Sequence, residues 1–380
     1  MTEQVESGPP TNLELQRTSR DPEQLRRQLE SWLAHRLGPT AQPTISDIAA
    51  TTANGMSSET VLFRADWTQE DVLHSEALVA RVAPDASDVP VFPSYDMDRQ
   101  FRIIQLVGDL TPVPVPRVLW SEPDASAIGA PFFVMERVSG DVPPDVMPYT
   151  FGDNWLFDAP VERQRQLQDS TVSLLTELHT LTGDDESFAF LQYAEPGDSP
   201  LRRHVNNRRA WYEYVAACDR RSPLVDRVFE WLDEHWPADE GDPVVSWGDS
   251  RIGNIMYRDF TPVAVLDWEM VGVGPRELDI AWLVFAHRVF QDLASGYALA
   301  GMPEFLRWAD VAASYEKATG YSPRDLEFYG MYCAVQWAIV FLRTGQRSVH
   351  FGERESPADV DEFIMHRESV ERMLAGTYWS

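Results

Sequence analysis

The chain has 380 residues, 44% of them hydrophobic, enough to bury a large core and to divide it between two lobes. A formal net charge of −28 excludes the many basic phosphate contacts that nucleic-acid binding requires; it suits either a cationic small molecule focused into an acidic cleft or merely generic solubility. The two cysteines, Cys218 and Cys333, fit neither a disulfide framework nor a metal motif and point to a reducing compartment, the cytoplasm.

Residues 1–20 lack an apolar signal core and read as a disordered tail. A helix is predicted over 22–37, with Asp21 as cap, Pro22 in its first turn, Gly38 at its end, and Leu25, Leu29, Trp32 and Leu33 on one face. Strands follow at 61–65, 77–82, 117–120 and 131–136, interrupted by a helix over 95–109. Beyond Gly140 the pattern turns helical, at 161–181 and 223–236, with Ser222 capping the second. Residues 279–293 are apolar nearly all round and belong at the centre of a helical body. The apolar stretch 328–342 is broken by Gln336 and too short to span a bilayer, so it reads as a buried helix and no membrane is expected. The layout is an α+β chain: a tail at 1–20, a small β-rich N-lobe at 21–137 and a larger helical C-lobe at 138–380.

Trp247–Glu269, WGDSRIGNIMYRDFTPVAVLDWE, is the most informative segment. The runs 255–257 and 263–266 read as two strands around a turn at 258–262, and the hairpin returns Asp267 to the base of a loop bearing Asp249 and Asn254. Asp-x-x-x-x-Asn is the spacing of a kinase catalytic loop, in which a carboxylate meets the attacking hydroxyl and hard oxygens meet Mg²⁺. Arg251, inside that loop, either neutralises a transferring phosphoryl group or pairs with a neighbouring carboxylate. Glu269 either helps hold a metal shell or forms an ion pair.

Five segments in order, NGMSSETVLF (54–63), PFFVMERVSG (131–140), LLTELHTL (174–181), WGDSRIGN (247–254) and LDWEMVGVGPRELDIAW (266–282), give the chain a resemblance to the aminoglycoside phosphotransferase family, an atypical branch of the protein-kinase-like fold. More narrowly it is similar to actinobacterial members and to kinase-like domains associated with acyl-CoA dehydrogenases. Each motif alone is weak; together, over about 45–285, they are specific.

The resemblance implies a bilobal kinase-like fold that transfers the γ-phosphoryl group of ATP, with Mg²⁺, to a hydroxyl of a small molecule, which ranges across the family from aminoglycosides to choline and hydroxyacyl thioesters. It implies Asp249 as general base, Asn254 and Asp267 as metal ligands, and a phosphate-covering loop containing Ser57 and Ser58. Met135, Glu136 and Val138 would form the hinge against the adenine edge. His179 and Asp279 are implied as scaffold residues. Three departures stand out. The only lysine is Lys317, so Arg81 occupies the site of the phosphate-contacting lysine; Gln100 stands where a helix glutamate is usual, and Trp247 where a histidine is. They leave a catalytically silent nucleotide-binding protein as the rival reading, against which stand the intact base and metal ligands.

Overall fold

The computed structural model describes residues 20–38, 40–50 and 58–379. The expected tail therefore lies outside the described residues except for Arg20, as do Asn54 to Ser57 of the loop before the second strand.

Helix α1 (Pro22–Leu37) begins as its sequence dictates: Asp21 Oδ1 accepts from the Gln24 amide at 2.7 Å, and Leu25, Leu29, Trp32 and Leu33 face inward. It covers a five-stranded antiparallel sheet of order β1–β2–β3–β5–β4, made of β1 (Thr44–Ala50), β2 (Glu59–Gln69), β3 (Val72–Val82), β4 (Val118–Glu122) and β5 (Phe132–Glu136). The β2–β3 hairpin turns on Glu70 and Asp71 alone, at φ 53° and 62°, a left-handed pair whose twist matches the flanking strands. Helix α2 (Met97–Leu110), capped by Asp96, packs against β4 and β5. Strand β1 was not anticipated; its alternation is broken by a bulge between Ser46 and Ala49 and by Asp47 at φ 52°.

The C-terminal part is helical: α3 (Val161–Leu178), α4 (Pro200–Ala217), α5 (Pro223–Glu234), α6 (Glu277–Gly296), α7 (Trp308–Thr319), α8 (Leu326–His350) and α9 (Arg367–Leu374). As its all-round apolar sequence requires, α6 is buried on nearly every side and packs against α8 and α7. No helix among the described residues is long and apolar enough to cross a membrane.

Two small ladders lie among these helices. β6 (Val244–Ser246) pairs with β9 (Gly272–Gly274), and β7 (Ile255–Arg258) with β8 (Thr261–Val265). The β7–β8 turn is tighter than the five residues expected, since Asp259 and Phe260 alone make it, both left-handed. Pro262 sits beside the register shift at Met256/Tyr257, where a strand tolerates the missing donor.

Candidate active site

The loop from Trp247 to Asn254 joins β6 to β7 and is shaped from beneath by Asp279, a wholly buried residue of α6. Asp279 Oδ1 accepts from Ser246 Oγ at 3.0 Å and the Gly248 amide at 2.8 Å; Oδ2 accepts from the Trp247 amide at 2.8 Å and lies 3.0 Å from His179 Nε2. His179 Nδ1 meets Tyr315 Oη at 2.8 Å, so the ring is spent on scaffolding. Both residues thus do what the sequence suggested. Gly248 has φ 89°, and a Cβ there would lie 2.2 Å from the Met270 carbonyl oxygen, so only glycine fits.

Trp247 solves differently the problem a histidine would solve. It is fully buried against Trp268, and its single indole N–H is shared between the carbonyls of Leu266 at 3.0 Å and Asp267 at 3.1 Å. The catalytic-type loop is thereby tied to the segment that presents the second carboxylate. Asn254 completes the tie: its Nδ2 donates to the Asp249 carbonyl at 3.1 Å, while its own carbonyl accepts from the Leu266 amide at 2.9 Å. With the NH₂ end committed, the carboxamide oxygen is the end available to a cation. Asp267 itself is held at φ 56°, a left-handed conformation that Asp tolerates better than most residues.

Arg81 on β3 reaches across from the sheet. Its Nη1 donates to Thr60 Oγ1 at 2.8 Å, and its Nη2 donates to Asp267 Oδ1 at 2.5 Å and Glu269 Oε1 at 2.8 Å. Burial works against the guanidinium's charge, but the two carboxylates outweigh it and raise its pKa. Ser58 Oγ donates to Glu269 Oε1 at 2.6 Å, which ties the end of the loop before β2 to the same carboxylate. Of the two roles open to Glu269, the structure has the ion pair. Gln100 takes no part; it is buried in α2 with Nε2 3.8 Å from Met97 Sδ.

Arg251 likewise adopts the ion-paired alternative. Its Nε donates to Asp249 Oδ1 at 3.1 Å and its Nη1 is bound to Asp145 Oδ2. Asp249 Oδ1 also accepts from Trp282 Nε1 at 2.6 Å. Neither Asp145 nor Trp282 was singled out from sequence as a partner of the base; both contacts are long-range in sequence, and nothing in local spacing signals them. At the hinge, the Glu136 and Arg137 amides donate to Arg117 O and Ala77 O, both at 2.9 Å, and Met135 is buried in the sheet. Val138 follows, half-buried. Ser57 lies outside the described residues. Phe285 and His287 of α6 are core residues, with His287 Nδ1 2.9 Å from Tyr149 Oη.

Comparison with known proteins gives this geometry its context. Acyl-CoA dehydrogenase family member 11 of Rattus norvegicus is 30% identical over 212 residues, covering 55% of this chain but 25% of that protein. The chain spans about a fifth to a third of the length of the curated relatives it matches. Among solved structures, an aminoglycoside-phosphotransferase-type protein of Ralstonia eutropha JMP134 superposes with a TM-score of 0.63 at 20% identity, covering 93% of this chain and 97% of that one. A thermostable mutant of aminoglycoside phosphotransferase APH(4)-Ia, in ternary complex with ADP and hygromycin B, superposes with a TM-score of 0.52 at 13% identity, covering 91% and 98%. These likenesses establish the kinase-like fold. The profile of the phosphotransferase enzyme family (APH) matches residues 53–310, so the chain belongs to that family.

Proposed function

We propose that the chain transfers the γ-phosphoryl group of Mg·ATP to a hydroxyl of a small molecule in the cytoplasm, with Asp249 as general base. The observation that carries this reading is the hydrogen-bonded circuit of Trp247, Asn254 and Leu266, which draws Asp249, Asn254 and Asp267 into one site beneath Arg81. Residues 21–137 would form the N-lobe and 138–380 the C-lobe, with the nucleotide between them. Arg81 and the Ser57–Ser58 loop would contact phosphates. Because the Glu136 and Arg137 amides are committed to the sheet, Val138 is the hinge residue whose N–H would meet the adenine edge, beside Met135 and the Glu136 carbonyl.

Asn254 and Asp267 suit Mg²⁺. No group of three or more His, Cys, Asp or Glu side chains among the described residues could hold a metal by itself, but Mg²⁺ is commonly held by one or two protein oxygens together with waters and phosphates. The donors here are hard oxygens: a carboxylate and a carboxamide whose nitrogen is already bound elsewhere. When bound, the ion would neutralise charge on the β- and γ-phosphate oxygens. Asp249 then takes the acceptor's proton, a step typically worth about 10²–10⁴ in rate.

The acceptor is either an aminoglycoside, which the chain's charge of −28 would attract, or a metabolic hydroxyl compound. Among metabolic acceptors, which include hydroxyacyl and amino-alcohol compounds, the relatives named for acyl-CoA dehydrogenases favour the hydroxyacyl class. The test is ADP release from Mg·ATP with and without aminoglycosides, amino alcohols and hydroxyacyl thioesters. A hydroxyl compound that stimulates release, and a loss of about 10²-fold or more in Asp249→Asn, are expected. No transfer to any of them, with Asp249→Asn silent in the host, would overturn the reading. Failure of kanamycin to stabilise the protein thermally or to stimulate turnover would decide for the metabolic branch.

A further inference from the structure

Two donors converge on one oxygen of Asp249. Arg251 Nε lies 3.1 Å from Oδ1 and 3.4 Å from Oδ2, and Trp282, in the second turn of α6, donates to Oδ1 at 2.6 Å. Oδ1 has both lone pairs engaged, while Oδ2 keeps only the long contact. Arg251 would swing freely if it were anchored at Nε alone. Its Nη1 is bound to Asp145 Oδ2, which fixes the guanidinium plane at a second point.

Asp145 is itself locked in place. Its carboxylate packs on the Cα of Gly253, between the base and Asn254, so closely that a Cβ there would lie 2.2 Å from Oδ2 and 2.5 Å from Oδ1. The stretch leading to it is pinned to β7, because Asp141 and Tyr257 exchange both backbone hydrogen bonds at 2.8 Å. Desolvating this carboxylate is unfavourable unless it is paired, and among the described residues the cation paired with it is the one that holds the base.

We propose that Asp145 and Trp282 are positioning residues for phosphoryl transfer: Asp145 holds Arg251 against Asp249, Trp282 occupies the same oxygen, and the acceptor hydroxyl is directed to Asp249 Oδ2. This rests on the reading of Asp249 as base. In the step, the acceptor's O–H bond gives its proton to Oδ2 while its oxygen bonds to the γ-phosphorus. The bond from that phosphorus to the β–γ bridging oxygen breaks, and ADP leaves with the electron pair.

The test is a mutant cycle on hydrolysis of Mg·ATP with water as acceptor, using Asp145→Asn, Trp282→Phe, Asp249→Asn and the two double variants that contain Asp249→Asn. Asp145→Asn and Trp282→Phe should each lower kcat about 10- to 100-fold, the scale of a 1 Å misplacement, with KM for Mg·ATP nearly unchanged. Added to Asp249→Asn, neither should lower kcat further. Losses that persist in full in the Asp249→Asn background, or single variants with wild-type kcat, would overturn the positioning role. Wild-type kcat in Asp249→Asn alone would instead overturn the assignment of the base. If Asp145→Asn fails to fold in a thermal melt, Trp282→Phe decides, since phenylalanine keeps the ring packing beside Phe285 and Trp337.

Discussion

Arg81 and Glu269, 188 residues apart in the chain, are joined by a 2.8 Å ion pair that couples the sheet to the loop after β8. In the kinase arrangement the cation of this strand is paired with a helix glutamate. Here the helix offers Gln100, facing Met97, and the acidic partner comes from the loop after β8 instead. One guanidinium nitrogen, Nη2, therefore neutralises both Glu269 and Asp267, while the fork of arginine leaves Nη1 to hold Thr60 Oγ1.

Replacing Arg81 by Met should be severely destabilising. It would leave two largely buried carboxylates facing each other without a cation, and removal of one member of a buried pair costs about 3–5 kcal/mol. Arg81→Lys keeps the charge between the two carboxylates but loses the Nη1 bond to Thr60 Oγ1, so its loss should be smaller. Urea denaturation of the two variants measures the difference, and equal stabilities would contradict the compensation of both carboxylates by the charge at this position.

Trp247→Phe tests the substituted scaffold. The ring can still pack on Trp268, but the carbonyls of Leu266 and Asp267 lose their shared donor. Leaving buried acceptors unsatisfied should cost about 1–3 kcal/mol, seen as a lower urea midpoint. Since the same donor ties Asp267 to the loop, KM for Mg·ATP should rise as well. A loss of stability with unchanged KM would confine Trp247 to packing.

What could be read in the sequence was what local chemistry decides. Asp21 and Ser222 announced their helices because a cap bonds an amide three residues away. The Asp249–Asn254–Asp267 order was legible because a hairpin brings residues of fixed spacing together. The pairs that tune the site were not: Arg81 with Glu269, Arg251 with Asp145 and Asp249 with Trp282 are set by how separate elements pack. Helix α4 was missed as well. Its sequence is rich in arginine and asparagine, and its buried face includes His204 and Arg208, so the apolar period is diluted.

Acid should weaken the fold through buried histidines. Burial lowers His287 and His366 from 6.5 to about 4, and it lowers His204 well below its ordinary value. Each folded-state pKa lies below the unfolded one, so the unfolded chain binds more protons as pH falls from 6.5 toward 4. The stability is whole above that window and is lost through it, by about 3 kcal/mol at most for a histidine moved that far. Burial raises the Glu277 carboxyl, which acts in the opposite sense and blunts the total slope. A difference measurement avoids this: His287→Gln should reduce the pH dependence of the urea-unfolding free energy between pH 4.5 and 6 by about one proton. An unchanged slope would mean that His287 is not buried as a neutral ring.

Removing divalent ions should abolish turnover and leave the fold intact. In many metal sites the ligand carboxylates repel one another once the ion is gone, so chelation destabilises the protein. Here Asp267 is already compensated by Arg81, and Asn254 carries no charge. EDTA should therefore leave the melting temperature essentially unchanged while stopping ATP hydrolysis. Asn254→Ala should behave differently from Asp267→Asn. It removes one neutral oxygen ligand and also the bond to the Asp249 carbonyl, so it should raise the Mg²⁺ concentration needed for half-maximal rate and lower kcat together. Asp267→Asn strips Arg81 of one of its two anions but leaves Glu269, so the fold should hold while the Mg²⁺ requirement rises steeply. A large EDTA-induced drop in melting temperature would show that the ion, not Arg81, balances this carboxylate.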